Sequence, residues 1–340
     1  MKIYFFALML CATATLWSQN NSSDTLLKAR ADAHAPISIM ADHTHNKGEF
    51  MVSYRYMYMN MSKLKSGSED VPFSNALKPK GNYRVTPTRM PMQMHMIGAM
   101  YAPTDQITLM AMTNFVDNNM QHVTAMGLNF KTATRGWGDT QVSALYQFYK
   151  ANASSWHAQL GVSLPTGSID EKAVTPASNG TAVVVPYPMQ LGSGTYDGIL
   201  GLTYSKRWSR SSFGAQAQTV LRFGENDNAY TLGNRYQLQS WFAAPVSSWV
   251  SFSVRGTVRY VASIDGANPN LNPMMVITAD TANSGGTYVE AGLGANFLIP
   301  EGVLKNLRLG IELQHPIYQN LKGVQLKTNE VFTAGLQYAF

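Results

Sequence analysis

Polar and apolar residues alternate, one by one, through most of this chain, and that period constrains the fold more than any other feature. In Phe50–Met61, Phe50, Val52, Tyr54, Tyr56 and Tyr58 fall on one face, and Met51, Ser53, Arg55, Met57, Met59 and Met61 on the other. A period of two is that of a β-strand. The pattern recurs to the last residue. Phe213, Ala215, Ala217, Leu221 and Phe223 oppose Gln216, Gln218 and Arg222, while Val250, Phe252, Val254, Val258 and Tyr260 oppose Ser251, Ser253, Arg255 and Arg259. Further on, Val289, Ala291, Leu293, Ala295 and Phe297 oppose Glu290, Gly292, Gly294 and Asn296. Finally Leu307, Leu309, Ile311 and Leu313 oppose Arg308, Gly310, Glu312 and Gln314. One face is apolar and free of charge throughout.

Two architectures satisfy such alternation: a soluble sandwich that hides the apolar face, and an outer-membrane barrel that turns it to lipid. The pattern gives strands of about 10 to 14 residues, long for a sandwich and sufficient to cross a bilayer when tilted. Connections alternate between short ("APTDQ", "KANAS", "SKRWSR", "PVSS", "PEGVLKN") and long (63–87, 123–137, 166–186, 224–233, 265–285, and a shorter one near Lys322), as a barrel with short periplasmic turns requires. Charged residues make up only 14% of the 340, against about a quarter in soluble domains. The terminal "VFTAGLQYAF" alternates Phe332, Ala334, Leu336, Tyr338 and Phe340. That ending resembles the insertion signal of bacterial outer-membrane barrels, with Phe340 read by the barrel-assembly machinery. The expectation is therefore an all-β, antiparallel transmembrane β-barrel with both termini periplasmic and lipid of the outer membrane as its surroundings. Its twelve strands fall near 48–62, 88–101, 107–121, 138–150, 155–166, 187–205, 211–224, 234–245, 249–263, 286–299, 306–318 and 329–340.

The first residues read as an export signal over 1–19: Lys2, an apolar run from Ile3 to Leu10, then small residues. Leu10 before Cys11 does not suit lipidation, and without Cys11 the exported chain has no thiol, which leaves out disulfides and thiolate metal sites. Residues 20–47 are polar and Ala-rich, a periplasmic lead-in or plug, and 48–340 form the barrel. The net charge of +6 comes with no basic nucleic-acid motif. Catalysis finds no support either: "GSG" at Gly192–Gly194 lacks the spacing of a nucleophile elbow, and "GLGANF" at Gly292–Phe297 is strand glycine, which makes room for bulky lumenal neighbours.

Four segments, "HAPISIMADHTHNKGEFMVSYRYMYM", "MHMIGAMYAPTDQITLMAM", "LGVSLPTGSI" and "PYPMQLGSGTYDGILGLTY", resemble the bacterial outer-membrane family named for the MetA pathway of phenol degradation, whose members are labelled transporters. The resemblance spans roughly residues 34 to 340. It implies an outer-membrane barrel acting as a channel for small molecules, and it transfers no catalytic residue. This chain represents a Met-rich branch.

Of 19 methionines, 13 lie between Met51 and Met126. With the aromatic face on lipid, Met57, Met59, Met61, Met90, Met92, Met94, Met96, Met100, Met110 and Met112 line the lumen. Two readings stand. Thioethers are soft ligands that suit Cu(I) or Ag(I), and weak sites in series let an ion move on. His43 and His45, a His-x-His beside Asp42, would suit Cu(II) at the mouth. Alternatively methionine is a flexible apolar filler, giving a smooth wall for hydrophobic or aromatic solutes, or a surface that packs against residues 20–47. Parity also points Arg55, Asp197, Arg222, Arg255, Arg259, Glu290, Arg308 and Glu312 inward, as a positively biased constriction or as Arg–Glu pairs filling the barrel, a third, purely structural role.

Overall fold

Alternating β-branched, aromatic and small polar residues build long, regularly paired strands here. The computed structural model describes residues 30–340; the leader and the first part of the lead-in lie outside the described residues. Eleven antiparallel strands follow one another around a closed barrel: β1 (Phe50–Gly67), β2 (Val85–Tyr101), β3 (Ile107–Thr124), β4 (Thr140–Ala151), β5 (Ser154–Leu164), β6 (Tyr196–Arg207), β7 (Ser212–Phe223), β8 (Arg235–Pro245), β9 (Val250–Val261), β10 (Gly286–Leu298) and β11 (Arg308–Ala339). Each pairs with its neighbour in sequence, and β11 closes on β1.

The last strand makes two passes. It has 32 residues, against 11 to 18 in the other ten. Its first part pairs with β10, from Leu298↔Arg308 to Gly286↔Leu321, and its second with β1, from Ser66↔Val324 to Met51↔Ala339. The chain reverses at Gly323, which has φ +63°, and across the reversal the Gln319 amide donates to the Thr328 carbonyl at 2.8 Å and accepts from its N–H at 3.0 Å. Eleven strands thus give twelve crossings, and the expected loop near Lys322 is a tight turn.

Two other expectations are corrected. The long loop at 123–137 is largely a strand, Asn129–Trp137, pairing with the far half of β3; its Lys, Thr and Arg side chains lack the apolar face by which membrane strands are recognised. The strand expected from 187 begins at Tyr196, because Pro186 and Pro188 set a 3-10 turn at Tyr187–Met189 that tucks Met189 inward.

The outer surface is apolar. Val254, Leu293 and Leu313 lie in register across three neighbouring passes and are all exposed. Aromatic residues girdle both ends: Phe50, Tyr101, Tyr146, Trp249 and Phe340 at the short-turn end, and Trp137, Tyr196, Phe223 and Tyr236 at the loop end, all exposed. Among the described residues no helix is long and apolar enough to cross a membrane; the strands do so. A cation in the mid-belt would lose about 2–4 kcal/mol there. Leu293→Arg should lower the urea midpoint of vesicle-embedded protein accordingly, and an unchanged midpoint would place that belt outside the hydrocarbon.

Candidate functional site

Inward parity along β1, β2 and β3 stacks the methionines on one wall. Register pairs Met51 with Met100 and Met100 with Met110, Met57 with Met94, Met59 with Met92, and Met61 with Met90. They do not form one uniform strip. Met51, Met100 and Met110 are buried with Ala41 and Leu145 at the short-turn end. Met90 and Met120 are buried with Val185 and Met189 at the loop end, with Met61, Ala173 and Leu326 packed against them. Between the two clusters Met57, Met59, Met92, Met94, Met96 and Met112 are half-buried and border the lumen. Above the loop-end cluster opens an apolar cleft lined by Val85, His122, Phe130, Pro176, Val183, Val184, Val185, Leu271, Met275 and Val276. Val185 belongs to both cleft and cluster, so packed apolar side chains run from the loops down to the methionine wall.

The facing wall carries charge in pairs. Arg255 Nε lies 2.8 Å from Glu312 Oε1, Arg259 is 2.9 Å from Glu290, and Arg222 pairs with Asp197. Asp197 also accepts from Thr195 Oγ1 at 2.7 Å, and Arg255 donates to Gln239 at 3.1 Å. Arg308 is buried among the Asn296 side chain (2.8 Å), the Gln337 side chain and the Ala35 carbonyl. Arg55, alone of these on the methionine wall, donates to the Ile37 carbonyl at 2.8 Å.

Residues 30–47 run inside the barrel at its short-turn end. Ala31, Ala35, Ile37, Ile39 and Ala41 are buried there. The segment's backbone carbonyls are held from many sides: Ile37 by Arg55, Ala35 by Arg308, Met40 and Ala41 by Gln216 (2.9 and 3.2 Å), Asp32 by Ser212 (2.8 Å). Ala41 also lies 2.8 Å from His157 Nε2. Ser38 donates through its N–H and hydroxyl to Glu312. Glycines on the barrel make the fit: a Cβ on Gly310 would stand 2.7 Å from Ile37 Cβ, and one on Gly335 2.9 Å from Ile37 Cγ1.

The histidines sit on this segment. His43 and His45 touch each other and also face different partners. Their rings are 4.8 Å apart and inclined at 70°, and His45 turns Nδ1 to Glu49 at 3.3 Å. His43 instead meets His34, with centroids 4.3 Å apart, and Asp42 joins them. Burial, with His43 and Arg308 nearby, holds the His34 imidazole well below its usual value. Burial likewise lowers His45, to about 4. Asp42 would be raised by burial, but His43, His34 and Arg308 outweigh it and hold the carboxyl well below the carboxylate range. Sequence reading passed over His34, Met51 as a lumenal residue, Met120 and Met189. The first is nine residues from His43 and is brought to it only by the fold-back, and Met189 comes from a loop.

A crystal structure described as the COG4313 outer membrane channel from Pseudomonas putida F1 aligns over 89% of this chain and 99% of its own, with TM-score 0.60 and 13% identity. This is an outer-membrane β-barrel. The NanC porin and the KdgM porin align more loosely with the barrel, at TM-scores of 0.43 and 0.40 and 9% identity each, over 84% and 85% of this chain and 98% and 99% of theirs. At such identities the likeness is one of fold. No family model and no curated protein matches the barrel's sequence.

Proposed function

We propose that the barrel is an outer-membrane channel for small, largely apolar solutes, closed in this state by residues 30–47. The observation that carries the reading is the run of apolar side chains from the loop-end cleft, through the packed Val185 and Met90–Met120–Met189 cluster, to the half-buried Met57, Met59, Met92, Met94, Met96 and Met112. Methionine is flexible and polarisable, so such a wall accepts differently shaped apolar molecules without a fixed fit. Six of the charges opposite are compensated in pairs, Arg222 with Asp197, Arg255 with Glu312 and Arg259 with Glu290. The neighbour from Pseudomonas putida F1 is described as an outer-membrane channel, in keeping with this reading. The chain would reside in the outer membrane with its short turns and both ends on the periplasmic side.

The test is uptake by porin-depleted Gram-negative cells expressing the chain. Uptake of a radiolabelled neutral monocyclic aromatic should rise, and that of a sugar alcohol of similar size should not. Replacing Met92, Met94 and Met96 with Asn should remove the gain. Equal stimulation of both solutes, or of neither, would overturn the reading.

A further inference from the structure

The inward segment reverses direction between His34 and His43. The Ile39 N–H closes a turn on the Pro36 carbonyl at 3.0 Å, and Ala41 takes φ +52°. The reversal brings three potential ligand atoms together. His34 Nδ1 and His43 Nδ1 are 3.4 Å apart, His43 Nδ1 is 2.8 Å from Asp42 Oδ1, and His34 Nδ1 is 4.0 Å from Asp42 Oδ2. Ligands held at about 2.0–2.2 Å around a tetrahedral ion are separated by roughly 3.3–3.6 Å; the His34–His43 edge, at 3.4 Å, falls in that range, and one ligand atom from each of the three residues lies within 4.8 Å of the others.

Proton counting sharpens the point. The Ala35 N–H already donates to Asp42 Oδ2 at 3.0 Å. A proton on His43 Nδ1 would donate to the other carboxylate oxygen, at 2.8 Å, which leaves the His34 Nδ1 lone pair and the carboxylate facing one spot, and loss of that one proton adds the second lone pair. On the far side of the ring, His43 Nε2 is buried with no hydrogen-bond partner, as is His45 Nε2. Asp42 holds His43 through one hydrogen bond, while His34 Nδ1, 4.0 Å from the carboxylate, faces the same spot without a carboxylate within hydrogen-bond distance.

The surroundings favour one class of ion. The site opens to a cleft at the short-turn mouth, beside Gln147, Ser154 and Ser205. Behind it Asp42 and His43 share a small void with Met40, Met51, Met100 and Met110. Imidazole nitrogens suit Cu, Zn and Ni, thioethers are soft, and among first-row divalent ions copper binds such sites most tightly.

We propose that His34, Asp42 and His43 bind a divalent first-row transition-metal ion, copper above others, at the short-turn mouth of the closed barrel. The ion ties the two arms of the inward segment together, Asp42 and His43 on one, His34 on the other. Metal here stabilises the closed arrangement, because the three ligands are adjacent only while the segment is folded back. The proposal does not depend on which solute the lumen passes.

The experiment uses the tag-free exported chain refolded in detergent, titrated with Cu(II) against a competing chelator and followed by electron paramagnetic resonance. The expected result is one equivalent of copper with nitrogen hyperfine structure. Replacing both His34 and His43 with Ala should abolish it, Asp42→Asn should weaken it with the segment's shape kept, and His122→Ala, at the loop end, should leave it unchanged. Channel conductance recorded on the same samples shows whether a variant still holds its segment inside. A weakened signal in Asp42→Asn at the closed conductance level supports the site. A full signal in the double histidine variant, or copper entirely stripped by the chelator from the parent chain, would overturn it; neither outcome touches the uptake experiment.

Discussion

Deleting residues 30–47 should convert a quiet barrel into one with a large, steady single-channel conductance. The segment is what fills the short-turn end of the lumen: Ile37 sits against Gly310 and Gly335, and Arg55, Arg308, Gln216 and Ser212 all donate to its carbonyls. Those barrel side chains keep their positions without it, and water replaces the lost partners. The deletion therefore tests closure without touching a transmembrane strand. Gly310→Val provides the same test without shortening the chain, since its side chain would occupy the place of Ile37 Cβ, 2.7 Å from a Cβ at Gly310. Planar-bilayer recordings decide the matter. Conductance in both variants equal to that of the parent would mean that closure lies elsewhere, at the loop end where Met189 and Val185 pack against Met90 and Met120.

The second large effect concerns stability. Glu312 Oε1 lies 2.8 Å from Arg255 while Oε2 takes the Ser38 hydroxyl and N–H, and both charged residues are buried. Removing one partner leaves an uncompensated buried charge, which costs about 3–5 kcal/mol. Glu312→Ala should therefore shift the urea midpoint further than any single methionine substitution on the opposite wall. Replacing Arg255 with Met and Glu312 with Leu together should cost far less, near 1 kcal/mol, for the hydrogen bonds to Ser38 that are lost. Equal losses in the single and double variants would show that the pair contributes through packing rather than through charge.

The barrel was legible because its period is stated at every residue. Phe50 to Tyr58 and Val289 to Phe297 leave no choice of register once one face must meet lipid. What alternation cannot express is the path of segments that leave the membrane. Asn129–Trp137 pairs with β3 in register, but Lys131, Thr132, Thr134 and Arg135 interrupt any apolar alternation, so it reads as loop. Tyr187–Met189 was absorbed into a strand although Pro186 and Pro188 interrupt it. The histidine cluster was half visible: His43 and Asp42 are adjacent in sequence, while His34 reaches them only through the turn at Pro36–Ile39. The methionine wall was legible as a face, because parity places Met57 to Met61 and Met90 to Met100 on one side. Its division into two packed clusters depends on Ala41, from the inward segment, and on Val185 and Met189, from a distant loop.

The two flanks of the lumen differ in kind: thioethers along β1 to β3, and guanidinium–carboxylate pairs along β6, β7, β9, β10 and β11. In the channel proposed above, a passing molecule would therefore be sorted by its own left and right. One with a greasy edge and a polar edge has a single sideways orientation that suits both flanks, and it would travel edge-on, held from tumbling. A molecule that is apolar all round leaves one flank unanswered, and a uniformly polar one leaves the other. Discrimination in such a passage would rest on the lateral asymmetry of the traveller as much as on its girth.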